Sequence, residues 1–329
     1  MTNWNANVVL AAVAVLWLGG CASTDVGPAV DLKATDAEEV KVLPEWETLW
    51  DFSDPAGSAG RLQDAMVLGK RAGAQEYAAI VATQLARTQG MQRKFDEAHA
   101  LLDGVEDNLA GASMELRMRY LLERGRVLNS SGKSPESSEL FEAAWVLGQG
   151  ADVDHLVADA GHMLAIVAED KDALVWAETT MQFCEESLDT RCRGWLGPLY
   201  NNTGWTYFEA GDLEAALGLW KQGLDFRVRE GEAESISISR WTIARCFREM
   251  GRIEAALAEQ LSLAADRESW GAPSDGYVSE EIAECLFALG RSEEARPWFG
   301  KAFEELGGDT WLQAEEPERL SRLERLAAE

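Results

Sequence analysis

Small residues return along this chain at a nearly fixed interval. Ala86, Gly125, Ala165, Gly204, Ala244 and Ala283 are separated by 39, 40, 39, 40 and 39 residues. Twelve positions after each stands another small residue: Ala98, Ser137, Ala177, Ala216, Ala256 and Ala295. Seven positions after each, four units place a glycine (Gly132, Gly211, Gly251, Gly290), while the first and third place Arg93 and Asp172. A glycine there ends one helix in a left-handed cap. The two small residues then fall where the helices of one hairpin cross and a larger side chain would push them apart. Six copies of one hairpin commit the chain to a stacked array, because each copy leaves an apolar face that only a neighbour covers.

The clearest copy is TGWTYFEAGDLEAALGLWKQGL, residues 203–224, with Gly204, Tyr207, Gly211, Ala216 and Trp220 at offsets 0, 3, 7, 12 and 16. This order of small residue, aromatic, turn glycine, alanine and aromatic resembles the tetratricopeptide-repeat signature. The resemblance spans about residues 45–328 and implies an all-α, right-handed helical solenoid of about six hairpins with helical caps. The interval exceeds the usual repeat of about 34 residues, so each helix is expected to be longer by about a turn. Residues 73–308 hold the six repeats. Residues 45–72 form an N-terminal cap segment in which Asp54-Pro55 reads as an N-cap followed by a first-turn proline. Residues 309–329, with the polar-faced stretch AEEPERLSRLERLAA, read as a C-terminal cap helix. FDEAHALLD, YLLERGRVLNSSG and WLGPLYNNTGWTYFEAG also resemble a group of uncharacterised bacterial tetratricopeptide proteins, which brings no activity with it.

The first 44 residues read differently. VVLAAVAVLWL, residues 8–18, is an apolar run of eleven, short of the ~20 residues that span a bilayer. Leu18-Gly19-Gly20-Cys21 follows and resembles a bacterial lipobox, which makes residues 1–20 a lipoprotein signal peptide and Cys21 the acylated (palmitate-type) new N-terminus. The leader carries no Lys or Arg, and the alternative is a hydrophobic anchor that is never cleaved. Residues 21–44 lack helical periodicity and read as a flexible tether. The resemblance places the chain in the bacterial cell envelope, lipid-anchored and facing the periplasm, with Ala22 after the lipid cysteine pointing to the outer membrane.

Charge narrows the partners. The chain has 30 Lys+Arg against 57 Asp+Glu, a net −27, and such a field repels nucleic acid and anionic lipid. The expected partner is a protein or peptide, and the membrane is met only through the lipid on Cys21. In tetratricopeptide arrays the concave wall is lined by the first helix of each hairpin. Carried onto this frame, the wall holds Arg87; Arg119, Arg126 and Asn129; Asp159, His162 and Glu169; Asn201, Asn202, Trp205 and Phe208; Trp241, Arg245 and Arg248; and Tyr277, Glu280 and Glu284. Arginine forks suit carboxylates, asparagines hold an extended backbone, and tryptophans supply contact area. The pattern predicts a groove for an acidic, aromatic-containing peptide, acting in a membrane-tethered interaction scaffold. The alternative is a permanent structural subunit of an envelope assembly or secretion complex that uses its convex face. These arginines could instead pair with the chain's own surplus of carboxylates. Pro44-Glu45-Trp46-Glu47-Thr48-Leu49-Trp50-Asp51-Phe52 is itself acidic and aromatic, and would either close the N-terminal end of the core or lie on the groove as an internal ligand.

Catalytic patterns are missing. There is no phosphate-binding glycine loop, no Gly-x-Ser-x-Gly elbow and no His-Glu-x-x-His, so neither enzyme activity nor a cofactor is expected. His155, Asp159 and His162 share a helix face, but no fourth ligand is spaced to complete a metal site. Cys184 and Cys192 flank one inter-repeat loop, a possible disulfide in an oxidising compartment. Cys246 and Cys285 share one repeat position and read as small core residues.

Overall fold

The computed structural model describes residues 42–329. The apolar run, Cys21 and all but the end of the tether therefore lie outside the described residues. Among those described, the chain is helical with no strand, and none of these helices is long and apolar enough to cross a membrane. Two compact units divide it, the first ending at Leu199 and the second running from Tyr200 to Glu329.

The first unit opens with a single 3-10 turn, Trp46–Leu49, and the helix α1 (Pro55–Arg71). Asp54 caps α1 by accepting a hydrogen bond from the Gly57 amide at 2.9 Å, with Pro55 in the first turn, as expected from the sequence. Three hairpins follow: α2 (Gln75–Met91) with α3 (Phe95–Glu106), α4 (Met114–Ser130) with α5 (Ser134–Gly148), and α6 (Asp154–Val167) with α7 (Asp170–Glu186). A short helix, α8 (Thr190–Gly194), closes the unit. The turn after α4 shows why glycine recurs: Gly132 takes φ +85°, its amide donates to Asn129, and Lys133 donates to Leu128. Arg93 makes the same closure at φ 60° without glycine, its amide donating to Gly90 and that of Lys94 to Gln89. The third hairpin departs from the frame. Ala168 is extended after α6, α7 begins at Asp170, and Asp172 lies inside a helix rather than in a turn.

The second unit holds most of α9 (Leu196–Glu209), then α10 (Leu213–Glu230), α11 (Ala233–Glu249), α12 (Ile253–Ser269), α13 (Gly276–Ala288) and α14 (Ser292–Leu306). Its cap consists of two helices, α15 (Thr310–Glu315) and α16 (Pro317–Ala328), broken at Pro317. Leu320 and Leu323 of α16 complete the core of α13 and α14.

The small residues have a sharper role than crossing points. A Cβ on Gly125 would stand 2.5 Å from the Phe141 ring, and one on Gly204 would meet the Trp220 indole. In these two repeats the residue at offset 0 is thus the seat for the aromatic at offset 16 of its own hairpin. Phe141, Trp220 and Phe299 are at most 2% exposed, and burial of this kind stabilises by about 1.5–3 kcal/mol each.

Candidate partner-binding walls

In the first unit, α2, α4 and α6 place their charged side chains in a connected series. Arg87 lies 3.6 Å from Glu123, Arg126 lies 2.8 Å from Glu123, and Arg126 also pairs with Asp159. Two arginines therefore meet two carboxylates across three successive repeats, Arg126 and Glu123 sharing α4. Burial raises the Asp159 carboxyl, but Arg126 and Arg87 outweigh it and hold the group below its ordinary value. Burial pushes His162 down to about 4, against the pull of Asp159, and its ring sits 5.1 Å from Trp195. Arg119 stands apart from the series: its Nε donates to Glu115 on its own helix at 2.9 Å. Asn129 accepts a hydrogen bond from Ser134 at 2.9 Å.

The segment ahead of α1 lies on the same arginines. Arg119 is 4.4 Å from the centre of the Trp46 ring, and Arg87 is 5.8 Å from Trp50 and 5.6 Å from Phe52. Trp46, Leu49 and Trp50 also pack against the core of α1–α4. The segment thus closes the N-terminal end of the core and also lies over two of the arginines assigned to the wall.

The second unit repeats the electrostatic device on different helices. Glu281 of α13 accepts from Arg248 at 2.8 and 3.1 Å and from Arg245 at 3.2 Å. Burial would raise the Glu281 carboxyl, yet Arg245 and Arg248 draw it below its ordinary value. Arg245 also sits 5.9 Å from Trp205 and 5.5 Å from Trp241, and the Trp241 indole donates to the Tyr277 carbonyl at 3.1 Å. At the C-terminal cap, Glu280 pairs with Arg319 and Glu284 with Arg322. These interactions come from repeat and cap helices within the unit.

The wall expected from sequence is corrected in part. Asn201 and Trp205 are only 7% and 6% exposed. Trp205 packs edge-on to Trp220 at 5.0 Å, and the Asn201 carbonyl accepts from Trp220, so both are interior braces rather than presented contacts. Phe208, half-buried beside Trp205 at 5.3 Å, and Asn202, whose side chain accepts from Asn201, remain nearer the surface. Glu123 and Glu281, the acceptors that organise each wall, escaped the sequence reading. The signal was present: each lies two positions before the small residue of its repeat and 36 after an arginine of the preceding repeat. No metal-binding group of His, Cys, Asp and Glu exists among the described residues. Asp159 is taken by Arg126, and His155 faces Asp189 at 3.2 Å. Cys184 and Cys192 are free thiols, fully buried, with Sγ atoms 3.6 Å apart.

Solved structures support the repeat reading. The chain is similar to the apo form of RapI, at 10% identity and TM-score 0.67 over 86% of this chain and 79% of that one. It is similar to a signal-transduction ATPase with a tetratricopeptide-repeat sensor from Pyrococcus horikoshii, at 12% identity and TM-score 0.57 over 88% of this chain and 44% of that one. The apo form of the quorum sensor NprR from B. thuringiensis matches at 14% identity and TM-score 0.55 over 83% and 81%. Likeness at this level shows the fold: an all-α tetratricopeptide-type helical repeat. No protein-family model matches the chain, and no curated protein matches its sequence.

Proposed function

We propose that this chain is a non-enzymatic protein-interaction scaffold, tethered to an envelope membrane through a lipid on Cys21, whose wall of first helices captures a partner segment. The observation that supports the reading is the seat of Trp46 on Arg119, in which a first-helix arginine holds an aromatic from a segment outside the repeats. The ion pairs adjust the chemistry of the partner. Arg87 and Arg126 already meet Glu123 and Asp159, and Arg245 and Arg248 already meet Glu281. Selection then rests first on aromatic rings stacked over guanidinium groups and second on the partner's carboxylates. Arg119, with only its same-helix partner Glu115 among the ion pairs, is the arginine best placed to meet a foreign carboxylate.

The test is a crosslinking pull-down of the full-length lipoprotein from its membrane, beside Arg119→Ala and Cys21→Ser versions. Loss of one partner with Arg119→Ala, and loss of membrane association with Cys21→Ser, are the expected results. A partner retained at full yield by Arg119→Ala contradicts wall capture.

A second reading has its own observation. Val146 on α5 and Val175 on α7 are 71% and 57% exposed, and both belong to second helices. A permanent structural subunit of an envelope complex would bury such residues against its neighbours.

A further inference from the structure

Residues 44–52 contact the first unit in a way that a closing segment alone does not require. Only one 3-10 turn forms here, and none of its four residues is buried. The segment is pinned at three places: Tyr77 donates to the Pro44 carbonyl at 2.8 Å, Arg61 to the Leu49 carbonyl at 2.9 Å, and Ser58 exchanges hydrogen bonds with the Asp51 backbone at 2.8 and 3.0 Å. Between these pins its rings cover the wall. Trp46 lies over Arg119 of α4, while Trp50 and Phe52, stacked on each other at 4.7 Å, lie over Arg87 of α2.

The fit is incomplete. Glu45, Glu47 and Asp51 make no ion pair among the described residues, although two wall arginines are within reach of the neighbouring rings. Arg87 approaches Glu123 at 3.6 Å, too far for a hydrogen bond, and Glu123 Oε2 is buried without a hydrogen-bond partner. A segment whose one turn buries no residue, and whose Glu45 and Glu47 make no ion pair among the described residues, can be replaced by a better occupant.

We propose that residues 44–52 are a tethered internal ligand of the α2/α4 wall, and that a partner binds there by displacing them with an extended segment carrying aromatic rings spaced like Trp46 and Trp50. The proposal rests on the first-helix wall being the working surface. It adds the identity of the occupant and the order of events: the segment leaves, the partner's rings take its place on Arg119 and Arg87, and the free segment stays linked to α1. Because the link is only two residues long, Ser53 and Asp54, the segment competes at an effective concentration in the millimolar range or above. Apparent affinity for an outside peptide falls in proportion to the fraction of molecules in which the segment is released.

A labelled peptide with the sequence of residues 44–53 is titrated by fluorescence anisotropy into the full-length wild-type chain and two opened variants. Trp46→Ala/Trp50→Ala removes two of the three rings, and Trp50→Ala/Phe52→Ala removes the pair over Arg87; both change only the segment and leave the wall and its pins intact for the peptide. The expected result is binding about 10–100-fold tighter to the opened variants than to wild type, abolished when Arg119→Ala is added. Equal affinity for wild type and opened variants overturns the proposal, as does the absence of binding to opened variants that retain wild-type helicity. If the double tryptophan variant loses its fold, the Trp50→Ala/Phe52→Ala chain decides alone. The two readings fail separately: a wall that captures no membrane partner but still binds this peptide in opened variants sinks the scaffold function alone, whereas a captured partner with no displaceable segment sinks only the internal ligand.

Discussion

The two units use one electrostatic rule and cover it differently. In each, an arginine just after the small residue of one repeat reaches a buried glutamate 36 residues later, Arg87 to Glu123 and Arg245 to Glu281. In the second unit the aromatic cover over the arginine, Trp205 and Trp241, grows from the first helices themselves. In the first unit the cover is Trp50 and Phe52, from a segment outside the repeats. A cover that belongs to a packed helix cannot leave without unfolding that helix, whereas a cover on a terminal segment can. The same repeat chemistry therefore yields a finished surface in one unit and an exchangeable one in the other.

The strongest way to probe the shared rule is to remove its acceptors. Glu281→Ala removes the buried acceptor that Arg245 and Arg248 share, and the second unit should lose about 3–5 kcal/mol, the cost of breaking a buried pair from one side. Hydrogen exchange read separately on peptides from the two units should place the loss in the second. Glu123→Ala should do the same to the first. The contrast in cover comes next. Trp241→Ala removes a ring packed between two helices together with its hydrogen bond to the Tyr277 carbonyl and should cost the second unit about 3 kcal/mol, while Trp50→Ala, on a terminal segment, should cost the first about 1 kcal/mol by urea denaturation. Equal costs would erase the distinction between the two covers.

Cysteines separate the units on a similar scale. In an oxidising compartment Cys184 and Cys192 should bond, lowering the mass by two hydrogens and stabilising the first unit by about 2–3 kcal/mol; Cys192→Ser should remove both effects. Cys246 and Cys285 should stay unreactive toward alkylating reagents at neutral pH, since burial pushes their thiols up to about 11 and about 12. The first unit should also respond to pH. All three histidines, His99, His155 and His162, lie in the first unit, and burial lowers each. Below the ordinary value of 6.5 the unfolded chain takes up a proton that folded His162 refuses until about 4. Stability of the first unit should therefore fall as pH drops through this window, by about 3 kcal/mol. His162→Gln should flatten that slope, and the second unit should show none of histidine origin. As pH falls through the depressed value of Asp159, the stabilisation from its pairing with Arg126 is lost as well.

Much of the fold was legible because the frame is repeated. The offsets place α2 through α14, α8 apart, in six hairpins, and the glycine at offset 7 predicts the left-handed turn at Gly132, Gly211, Gly251 and Gly290. The frame failed where its punctuation failed: with Asp172 in place of glycine, the third turn shortened and α7 began early. The helix α8 was unforeseen, since five residues capped by Asp189 leave little periodic signal. The candidate site was legible in composition but not in pairing. Sequence shows which helix face carries Arg87, Arg126 and Arg245; only packing shows that Glu123 and Glu281 reach those arginines from the next repeat. Nor can one helix face tell Trp241, half-buried, from Trp205, which faces inward onto Trp220.

The most direct test of wall capture is site-specific photocrosslinking in the native membrane, with the probe at Asn129 on the first-helix wall or at Val175 on a second helix. Crosslinking of a defined partner from Asn129 and none from Val175 is the predicted result, with the Asn129 product lost when Arg119→Ala is introduced. The same partner captured from Val175 and not from Asn129 would contradict the account and move the working surface to the second helices.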